Sequence, residues 1–473
     1  MKIAMIGQKR IPSREGGIEI VVEELAVRMV ALGHEVDCYV RDDDPNVTLP
    51  TEYKGIRLIR IPTSKKQSLN AFIYSVLGTI RACFGGYDVI HFHAEGPCAM
   101  TFLPKIFHIP VVSTIHGLDW QRAKWGGFAT RYLLFGEKNA TIFSDSVIVL
   151  SRAMKDYFFD KYSRETVYLR NGVSIVPHTP PQIITEKWNL TEGSYILFLA
   201  RIVPEKGLHY LIEAYRNIET DKRLVIAGGL TDTDYVNKIR SMAAEDDRII
   251  LADFVTGQLR EELMSNCFLY VLPSDVEGMA ISLLEALSFG VRCLVSDISE
   301  NTEASGTYAN YFNKSNVEDL RVQLTSILNS RNDFDRAKQI NFVTQEYSWD
   351  MVVQETLRIY ESVQSKPLGF MAALTANREK NRVAQLIANI EVLEARRKRA
   401  QATIFQALME NHSVDQEDVA MFNRYTSEIE ILREQLQELM GKTGLDYKYL
   451  KDKLEDSDII LNLTDKVQAN AEQ

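Results

Sequence analysis

The sequence has few cysteines and no segment of the kind that crosses a membrane. Its five cysteines stand far apart and none forms a C-x-x-C pair, which favours free thiols in a reducing compartment over a disulfide framework. No run of about 18 or more apolar residues occurs, so no transmembrane helix is predicted. The opening MKIAMIG leads straight into a strand, which predicts no signal peptide. We therefore expect a cytoplasmic protein.

The sequence also lacks an excess of positive charge. Its formal net charge is −10, and an acidic chain argues against general nucleic-acid binding. The charge is unevenly spread: residues 1–180 carry 22 Lys and Arg against 18 Asp and Glu, whereas the other 293 residues carry 32 against 46. A mildly basic N-terminal part suits an anionic membrane or a phosphorylated acceptor, although a chance asymmetry explains it equally well.

Short apolar strands alternate with helices over the first 175 residues. A strand over 2–6 is followed by the loop GQKRIPSREGG, an amphipathic helix over 18–32 and a strand over 35–40, the order typical of a parallel α/β sheet. The pattern G-x-G-x-x-G is absent. Instead the loop ends in Gly16-Gly17 directly before the helix, where bare backbone amides can approach a phosphate. Later strands are predicted at 88–93, 110–116, 145–150 (followed by Ser151 as N-cap) and 167–172.

This pattern stops at a proline-containing segment and then restarts. Residues 175–190, with Pro177, Pro180 and Pro181, are the predicted linker. After the linker, strands are predicted at 195–200, 223–227, 248–251, 268–272 and 292–296, with helices at 208–215 and 349–363. We therefore expect an α/β protein with two Rossmann-like parallel-sheet domains facing a cleft, because ligands of such sheets bind at the carboxyl ends of the strands.

The composition changes after Pro367-Leu368-Gly369. Two segments have heptad spacing of apolar residues: Val383, Leu386, Ile390 and Leu393, then Ile429, Leu432, Leu436 and Leu439. Between them, Asn411-His412-Ser413 predicts a break, with Ser413 capping a new helix. We expect two or three helices in a hairpin or coiled coil, ending in a loose polar terminus and able to form a homo-oligomer. Packing of these helices onto the body of the protein is the alternative.

The stretch PSDVEGMAISLLEALSFG (273–290) combines a turn, a flexible Glu277-Gly278 and a helix. The amides of Gly278, Met279 and Ala280 are expected at the helix start, where the dipole is positive, and Glu285 about two turns along. Carboxylates accept from hydroxyl groups and a helix start receives oxygens, so a hydroxyl-rich anionic ligand would fit. The alternative is a capped surface helix with solvated glutamates.

Cations and a histidine are predicted at other strand ends. Arg201 and Lys206 flank the loop after strand 195–200, where two positive charges would neutralise a diphosphate; a surface pair is the alternative. His116 ends a strand of the first half and is expected to face the cleft, unless it is structural. His91 and His93 alternate on one strand, so one of them should point into the protein, and no closed set of zinc ligands accompanies them.

Taken together and in order, these motifs resemble those of the retaining glycosyltransferases of family four, which have the GT-B fold. The motifs are REGGIE (14–19), STIHG (113–117), NGV (171–173), ARIVPEKG (200–207), AGG (227–229) and EGMAISLLE (277–285). Each motif is weak alone, but all of them in register are specific, and they cover about residues 1–365. The corresponding domains would be an N-terminal acceptor domain (1–175), a C-terminal nucleotide-sugar domain (190–348) and a closing helix (349–365). The helical extension 370–473 lies outside the family pattern.

Part of the N-terminal sequence resembles a subgroup that acts in bacterial capsule and cell-wall polysaccharide synthesis and includes rhamnosyltransferases. The resemblance lies in IPSREGGIEIVVEELA (11–26) and HGLDWQRAKWG (116–126). The subgroup more often has Tyr-Gly-Gly-Phe-Glu-Thr where this chain has EGGIEI (15–20). This departure leaves the donor sugar open between a hexose and a deoxyhexose such as rhamnose.

The resemblance implies a role for each site residue. Arg201 and Lys206 would bind the donor diphosphate, helped by the Gly16 and Gly17 amides across the cleft. Glu277 and the amides of Gly278, Met279 and Ala280 would hold the sugar hydroxyls. Glu285 would accept from the ribose, and the base would lie near Phe254 and Val255. His116 would contact the sugar at the anomeric carbon, with His116, Arg201, Lys206 and Glu277 forming the catalytic set.

No metal or other cofactor is expected besides the nucleotide sugar as co-substrate. No Asp-x-Asp metal motif is found at a strand end, so cations of the protein would replace a divalent metal. The implied acceptor is a saccharide linked to a polyprenyl diphosphate. The apolar stretch 70–84, with Lys65, Lys66 and Arg81 nearby, would then lie on the inner face of the plasma membrane; a buried core helix is the alternative.

Two other functions fit the same architecture. One is a GT-B sugar-nucleotide epimerase or a phosphorylase. A phosphorylase would need a lysine in a setting that binds pyridoxal phosphate, which is not found, and the spacing of Glu277 and Glu285 favours transfer. A non-catalytic nucleotide-sugar-binding scaffold, whose tail recruits partners, is the other. The complete set of polar groups argues against the scaffold.

Overall fold

A computed structural model describes residues 1–43, 50–64, 67–121, 127–229, 233–330, 334–365, 367, 369–410 and 413–443. The chain divides into two compact units, Met1–Phe370 and Met371–Gln473. The first unit contains two sheets with helices packed on both faces of each. The described part of the second unit is helical.

The first sheet is mixed but almost entirely parallel. Its strands are β1 (Lys2–Ile6), β2 (Glu35–Asp42), β3 (Glu52–Tyr53), β4 (Ile56–Pro62), β5 (Val89–His93), β6 (Val111–Ile115), β7 (Ser146–Val149) and β8 (Val167–Tyr168). Their order is β3-β4-β2-β1-β5-β6-β7-β8, and only the β3–β4 pair is antiparallel. The central strands are buried on both faces, as expected for apolar strands covered by helices.

The second sheet is entirely parallel. Its strands are β9 (Tyr195–Leu199), β10 (Arg223–Ala227), β11 (Ile249–Asp253), β12 (Leu269–Leu272), β13 (Cys293–Ser296) and β14 (Asn310–Phe312). They are arranged in the order β11-β10-β9-β12-β13-β14. The two sheets with their helices are called the first and second domains below, and together they confirm the predicted fold class.

Helices connect the strands and close each domain. In chain order they are α1 (Gly17–Ala31), α2 (Gln67–Cys83), α3 (Glu95–Cys98), α4 (Phe102–Ile106), α5 (Gly127–Phe143), α6 (Arg152–Tyr162), α7 (Ile183–Trp188), α8 (Leu208–Arg216), α9 (Thr233–Ala243), α10 (Gly257–Asn266), α11 (Ile281–Ser288), α12 (Ser299–Ser305), α13 (Val317–Asn329), α14 (Arg336–Glu346), α15 (Trp349–Gln364), α16 (Phe370–Met409) and α17 (Gln416–Thr443). Ser151 caps α6 as predicted, because its side chain accepts from the Met154 amide.

Every predicted strand is present, but the sequence reading missed β3, β4 and β14. The apolar residues interrupted by arginines in IRLIRIP (56–62) could have identified β4. The predicted end of β2 at residue 40 was also wrong, because the strand runs to Asp42. The sequence triplet Asp42-Asp43-Asp44 therefore does begin at a strand end. Asp42 is paired with Arg60 and Asp43 with Arg10, so both carboxylates already have cationic partners; Asp44 lies outside the described residues.

Helix α15 follows the second domain but packs on the first. Trp349, Val353 and Leu357 are buried in the same core as Val22 of α1. A Cβ at Gly172 would lie 2.6 Å from the Trp349 ring, so the glycine of the NGV motif makes room for this helix. The C-terminal helix of the unit therefore ties the two domains together.

The second unit contains a helical hairpin. Its core is formed by the residues predicted from heptad spacing: Val383, Leu386, Ile390, Leu393, Ile429, Leu432, Leu436 and Leu439. Arg433 and Glu394 join the two helices at 2.9 Å. Ser413 is not the cap, because α17 begins at Gln416 and Asp415 accepts from the Glu417 amide; Asn411, His412 and the predicted loose terminus lie outside the described residues.

The five cysteines are all free and buried. Across the described ranges, none of the helices combines the length and the apolar character that a membrane crossing requires.

Candidate active site between the two sheets

The predicted donor-site residues follow neighbouring strands of the second sheet. Arg201 comes after β9, Gly228-Gly229 after β10, Phe254 after β11 and Pro273 after β12. These strands are parallel neighbours in the order β11-β10-β9-β12. The loops therefore lie side by side at the carboxyl edge of the sheet, where ligands of such folds bind.

Two glycines allow these loops to approach closely. A Cβ at Gly207 would lie 1.9 Å from the carbonyl oxygen of Pro273, and a Cβ at Gly228 would lie 1.7 Å from that of Ala200. Gly207 also has a φ of +65°, which other residues rarely adopt. The motifs PEKG and AGG thus need glycine for backbone packing around the site.

Lys206 and Glu277 form an ion pair in the middle of these loops. The Lys206 Nζ lies 2.5 Å from Glu277 Oε1, and the two side chains are only 12% and 8% exposed. From the sequence, Lys206 was predicted to bind the diphosphate and Glu277 the sugar hydroxyls, with no contact between the two residues expected. The structure places them in direct contact, with the half-buried Arg201 at the start of the same loop.

The residues directly before α11 do not form the first turn of that helix. Helix α11 begins at Ile281, with Ala280 as its N-cap. The prediction that 278–280 form the helix start was therefore wrong, and Glu285 lies about one turn into the helix rather than two.

The segment Gly278–Ala280 has backbone amides without partners among the described residues. Within the described part of the chain, the backbone N–H groups of Gly278, Met279 and Ala280 donate no hydrogen bond. Met279 and Ala280 are nevertheless buried, and buried N–H groups without partners are rare in native proteins. These amides are thus available to ligand oxygens.

Glu285 is held by a residue that sequence reasoning missed. It forms an ion pair with Arg260 of α10, and both side chains are less than one-fifth exposed. Since Glu277 is paired as well, the interpretation of this stretch as a surface helix with solvated glutamates was wrong. A basic residue 25 positions away leaves no local signal in the sequence.

The first domain faces this segment across the cleft. A Cβ at Gly278 would lie 1.6 Å from the carbonyl oxygen of His116, and a Cβ at Gly117 would lie 3.5 Å from the Gly278 amide. At the start of α1, a Cβ at Gly17 would lie 3.5 Å from the Ile281 Cδ1. The glycine loop and His116 of the first domain are thus both close to the start of α11, as the sequence predicted.

Phe254 and Val255 lie at the other end of the row of loops. Phe254 is 47% exposed, whereas Val255 is buried. A Cβ at Gly229 would be 3.9 Å from the Phe254 ring. An exposed aromatic ring beside a glycine turn can stack against a nucleotide base.

A cavity of about 290 Å³ opens beside Glu277 between the two domains. It is lined by Leu118, Gln121, Ala153, Met154, Asp275, Val276, Glu277, Ile298, Ser299, Glu300 and Lys314. Of these, only Glu277 had been predicted. The others follow strands β6, β7, β12, β13 and β14, so their strand-end positions were the available signal.

Histidines lie behind His116, but the described residues contain no metal site. His91 and His93 are both fully buried, whereas only one of them was expected to point inward. Among the residues that the structure covers, no group of three or more His, Cys, Asp or Glu could hold a metal ion.

Two family models match the two domains. The model described as Glycosyltransferase Family 4 matches residues 15–175, and the model described as Glycosyl transferases group 1 matches residues 182–342. Together they span most of the two-domain unit and nothing of the tail.

Individual relatives and structures agree with these matches. Alpha-maltose-1-phosphate synthase from Mycolicibacterium smegmatis is 25% identical over 410 residues, covering 77% of this chain and 100% of the relative. The serotype-specific mannosyltransferase WbdA from Escherichia coli is 26% identical over 251 residues, covering 50% of this chain and 29% of the relative. The sucrose-phosphate synthase structure from Thermosynechococcus elongatus has a TM-score of 0.67 at 19% identity, over 77% of this chain and 99% of that one.

A structure with bound ligands has the same fold. HepE from Anabaena, in complex with UDP and glucose, has a TM-score of 0.63 at 16% identity, over 76% of this chain and 100% of that one. The fold, the order of the motifs and the two matching models lead to one conclusion. The chain belongs to the family-four glycosyltransferases with the GT-B fold.

Proposed function

We propose that the protein is a retaining glycosyltransferase that moves a hexose or deoxyhexose from a nucleoside-diphosphate sugar to a saccharide acceptor. The observation that carries this proposal is the buried pair Lys206–Glu277 beside the amides of Gly278–Ala280, opposite His116. This arrangement offers cationic, carboxylate and amide groups within one interdomain gap, which is what a phosphate joined to a polyhydroxylated ring requires.

The leaving group determines the chemistry that the site must supply. As the bond between sugar and phosphate breaks, negative charge grows on the diphosphate, and Arg201 and Lys206 would stabilise it as preorganised charges. The Lys206 ammonium has three N–H donors, and its bond to Glu277 uses one of them. The second oxygen of Glu277 can accept from a sugar hydroxyl, so the pair would link the two halves of the donor.

The nucleoside would extend along the row of loops. Glu285, held in place by Arg260, would accept from the ribose hydroxyls. The base would lie against Phe254 and Val255. The amides of Gly16 and Gly17 would approach the diphosphate from the first domain, because the start of α1 lies against Ile281.

We propose that the anomeric configuration is retained through front-face attack, with the donor phosphate taking the acceptor proton. Glu277 is a poor candidate for a covalent nucleophile, because Lys206 neutralises its charge. Because Arg201 and Lys206 supply positive charge at the phosphates, the reaction is proposed to need no divalent metal.

The acceptor is proposed to be a lipid-linked saccharide at the inner membrane face, in cell-surface polysaccharide synthesis. Helix α2 supports this through its two faces: Tyr74, Ser75 and Thr79 are buried, whereas the opposite face is apolar and exposed. The exposed residues of that face, with the neighbouring end of α4, are Phe72, Leu77, Ile80, Phe84, Ile106 and Phe107. The exposed Arg81 lies among them; Lys65 and Lys66 lie outside the described residues.

A donor panel tests the reaction. The protein would be incubated with UDP-, dTDP- and GDP-sugars and a polyprenyl-diphosphate-linked saccharide, with and without EDTA, and products followed by mass. The anomeric configuration of the product would be read by NMR. Transfer with retention, unaffected by EDTA, is expected. Tight nucleotide binding without turnover of any donor would favour the scaffold function, and an inverted product would exclude the retaining mechanism.

Variants test the phosphate assignment. Arg201→Ala and Lys206→Ala should each lower the transfer rate by about 10²-fold or more, the scale of losing one preorganised charge-stabilising donor. Arg358→Ala and Lys338→Ala are matched controls, because both side chains are at least 70% exposed. Normal transfer by both site variants would show that the phosphate binds elsewhere.

A further inference from the structure

Three histidines form a row from the core of the first domain to the cleft. His91 and His93 are on β5, and their rings lie 4.0 Å apart. The His93 Nδ1 lies 3.1 Å from the His116 Nε2 at the end of β6. His116 is the only member of the row that is not fully buried. The residue that faces the cleft is therefore held from behind by two others.

The inner end of the row is anchored on both sides. The His91 Nδ1 lies 2.6 Å from the Tyr360 hydroxyl of α15, and its Nε2 lies 2.7 Å from the Thr114 hydroxyl. Burial, and to a smaller extent the nearby His116, lower the pKa of His91 to about 3. The ring is thus neutral, and both of its nitrogens have partners.

His93 has only one partner for its two nitrogens. Its Nε2 is buried and has no hydrogen-bond partner within the described residues. Burial in the first place, and then the neighbouring histidines, lower the pKa of His93 well below its usual value, so it is also neutral. A neutral imidazole has one N–H and one lone pair.

The hydrogen of His93 belongs on the nitrogen that faces His116. Orphaned buried N–H groups are rarer than orphaned acceptors. Placing the hydrogen on Nδ1 leaves only a lone pair unsatisfied at Nε2 and lets Nδ1 donate to His116 Nε2. A neutral His116 whose Nε2 accepts must then carry its own hydrogen on Nδ1.

The backbone holds His93 in this position. A Cβ at Gly7 would lie 2.2 Å from the His93 carbonyl oxygen, so β1 and β5 are in close contact at this level. Ala94, the next residue, has a φ of +71°, a conformation that costs free energy and persists only where the surroundings enforce it. The strand end is therefore not free to turn the His93 ring away.

We propose that His93 is a positioning residue that fixes His116 as the Nδ1–H tautomer, with the Nε2 lone pair of His116 engaged by His93 and not acting as a base on the substrate. This inference rests on the proposed function for its substrate, a sugar hydroxyl or phosphate oxygen in the cleft. The tautomer itself is a property of the protein alone and can be measured without turnover.

The first test reads the tautomer directly. Nitrogen-15 NMR of the histidine rings in the full-length protein, assigned with His116→Gln, distinguishes an N–H nitrogen from one with a lone pair. Hydrogen on Nδ1 of His116 is expected. Hydrogen on Nε2 of His116 in the unliganded protein at neutral pH would overturn the proposal, whether or not the protein transfers sugar.

The second test separates positioning from folding. His93→Leu removes the donor and should mix the His116 tautomers and lower kcat by about 10²-fold with little change in KM. His93→Asn retains an N–H near the place of Nδ1 and should restore most of the rate and the single tautomer. His34→Leu is the control, since His34 is a partly buried histidine that contacts the N-terminus instead.

The outcomes separate this inference from the proposed function. A single Nδ1–H tautomer in the wild type that is lost in His93→Leu supports the positioning role even if no donor in the panel is used. Equal kcat for wild type and a folded His93→Leu would contradict it. If His93→Leu does not fold, the His93→Asn variant and the wild-type spectrum still decide the question.

Discussion

Gly278 is a position where a missing side chain shapes the site. Its Cα lies so close to the first domain that an added Cβ would be 1.6 Å from the His116 carbonyl oxygen. No flexible side chain can yield there, because the neighbouring atom belongs to the backbone. The distance between His116 and the segment Gly278–Ala280 is thus set by this glycine.

Gly278→Ala should therefore push the two loops apart and lower kcat/KM by about 10²-fold, as expected when reacting groups move by about 1 Å. Steady-state kinetics with the donor identified by the panel would measure it. Gly127→Ala is the matched control, since a Cβ there meets nothing within 4 Å. Full activity of Gly278→Ala would mean that this contact is absent in the catalytic state.

Variants of the pair Lys206–Glu277 should separate its contribution to the stability of the protein from its contribution to transfer activity. Lys206→Met or Glu277→Gln alone removes one member of a largely buried ion pair, which should lower the free energy of unfolding by somewhat less than the roughly 3–5 kcal/mol typical of fully buried pairs. The double variant should regain most of that stability but remain inactive. Denaturant unfolding and transfer assays measure the two quantities. Recovery of activity in the double variant would exclude a chemical role for the pair.

Glu95 predicts a pH-dependent stability. It is fully buried at the start of α3, and burial first, then the charges of Asp119 and Glu137, raise its pKa well above the usual value. The folded protein therefore keeps a proton that the unfolded chain loses, so stability falls as pH rises from about 4.5 through neutrality.

Glu95→Gln should remove this loss of folding stability with rising pH. Its unfolding temperature should exceed that of the wild type at pH 8, and the difference should shrink towards pH 4.5. Glu219→Gln, at an exposed position, should show no such trend. A constant difference between pH 5 and pH 8 would mean that Glu95 is ionised in the folded protein.

Helix α2 shows how one element can serve both a core and a surface. Its buried face carries the Tyr74 hydroxyl, which accepts from the Gly7 amide and donates to the Tyr39 carbonyl. Its opposite face exposes Ile80 (44%), and Phe84 (75%) directly follows the helix. Of the two alternatives drawn from the sequence, the core helix thus applies to one face of α2, and the membrane contact stays a prediction for the exposed apolar face.

The double variant Ile80→Ser, Phe84→Ser should bind anionic lipid vesicles more weakly, because binding scales with the apolar area that enters the interface. Co-sedimentation with phosphatidylglycerol vesicles would measure it. Val322→Ser, Met351→Ser is a control with similarly exposed apolar residues on α13 and α15. Equal binding of both double variants would exclude α2 as the membrane contact.

At the scale of the whole molecule, the tail forms a compact unit of its own in addition to the two-domain unit. The contacts of the chain divide at Phe370 and Met371, and the family models end before that point. The heptad residues of α16 and α17 pack against each other within one chain. Self-association through the tail would thus have to use other residues, such as the exposed Phe405 and Met409.

Deletion of residues 371–473 should leave the unfolding temperature of the remaining chain unchanged and reduce any oligomer of the full chain to monomer. Light scattering after gel filtration would give both masses. A full-length chain that is already monomeric would remove the predicted homo-oligomer, and an oligomer that survives the deletion would place its interface in the first unit.

The sequence by itself determined the fold class and the positions of the site motifs. Hydrophobic periodicity and glycine turns are local properties, so the strands after which Arg201, Phe254 and His116 stand could be located from the residues alone. The rule for parallel sheets then placed Arg201 and Phe254 at the carboxyl edge of the second sheet and His116 at that of the first. Strands β3 and β14 were missed because they are only two and three residues long, and β4 was missed because arginines interrupt its apolar residues.

The tertiary structure alone decided which residues touch. The contact of Gly278 with His116, the pairing of Arg260 with Glu285 and the hydrogen bond from β5 to His116 join residues that are far apart in the chain. Such contacts depend on how two sheets and α15 pack against each other. Local hydrophobic periodicity predicts the helices and strands but not the distances of a few ångströms between them. The positions of the candidate site residues along the chain could therefore be predicted from the sequence, whereas the contacts between them could not.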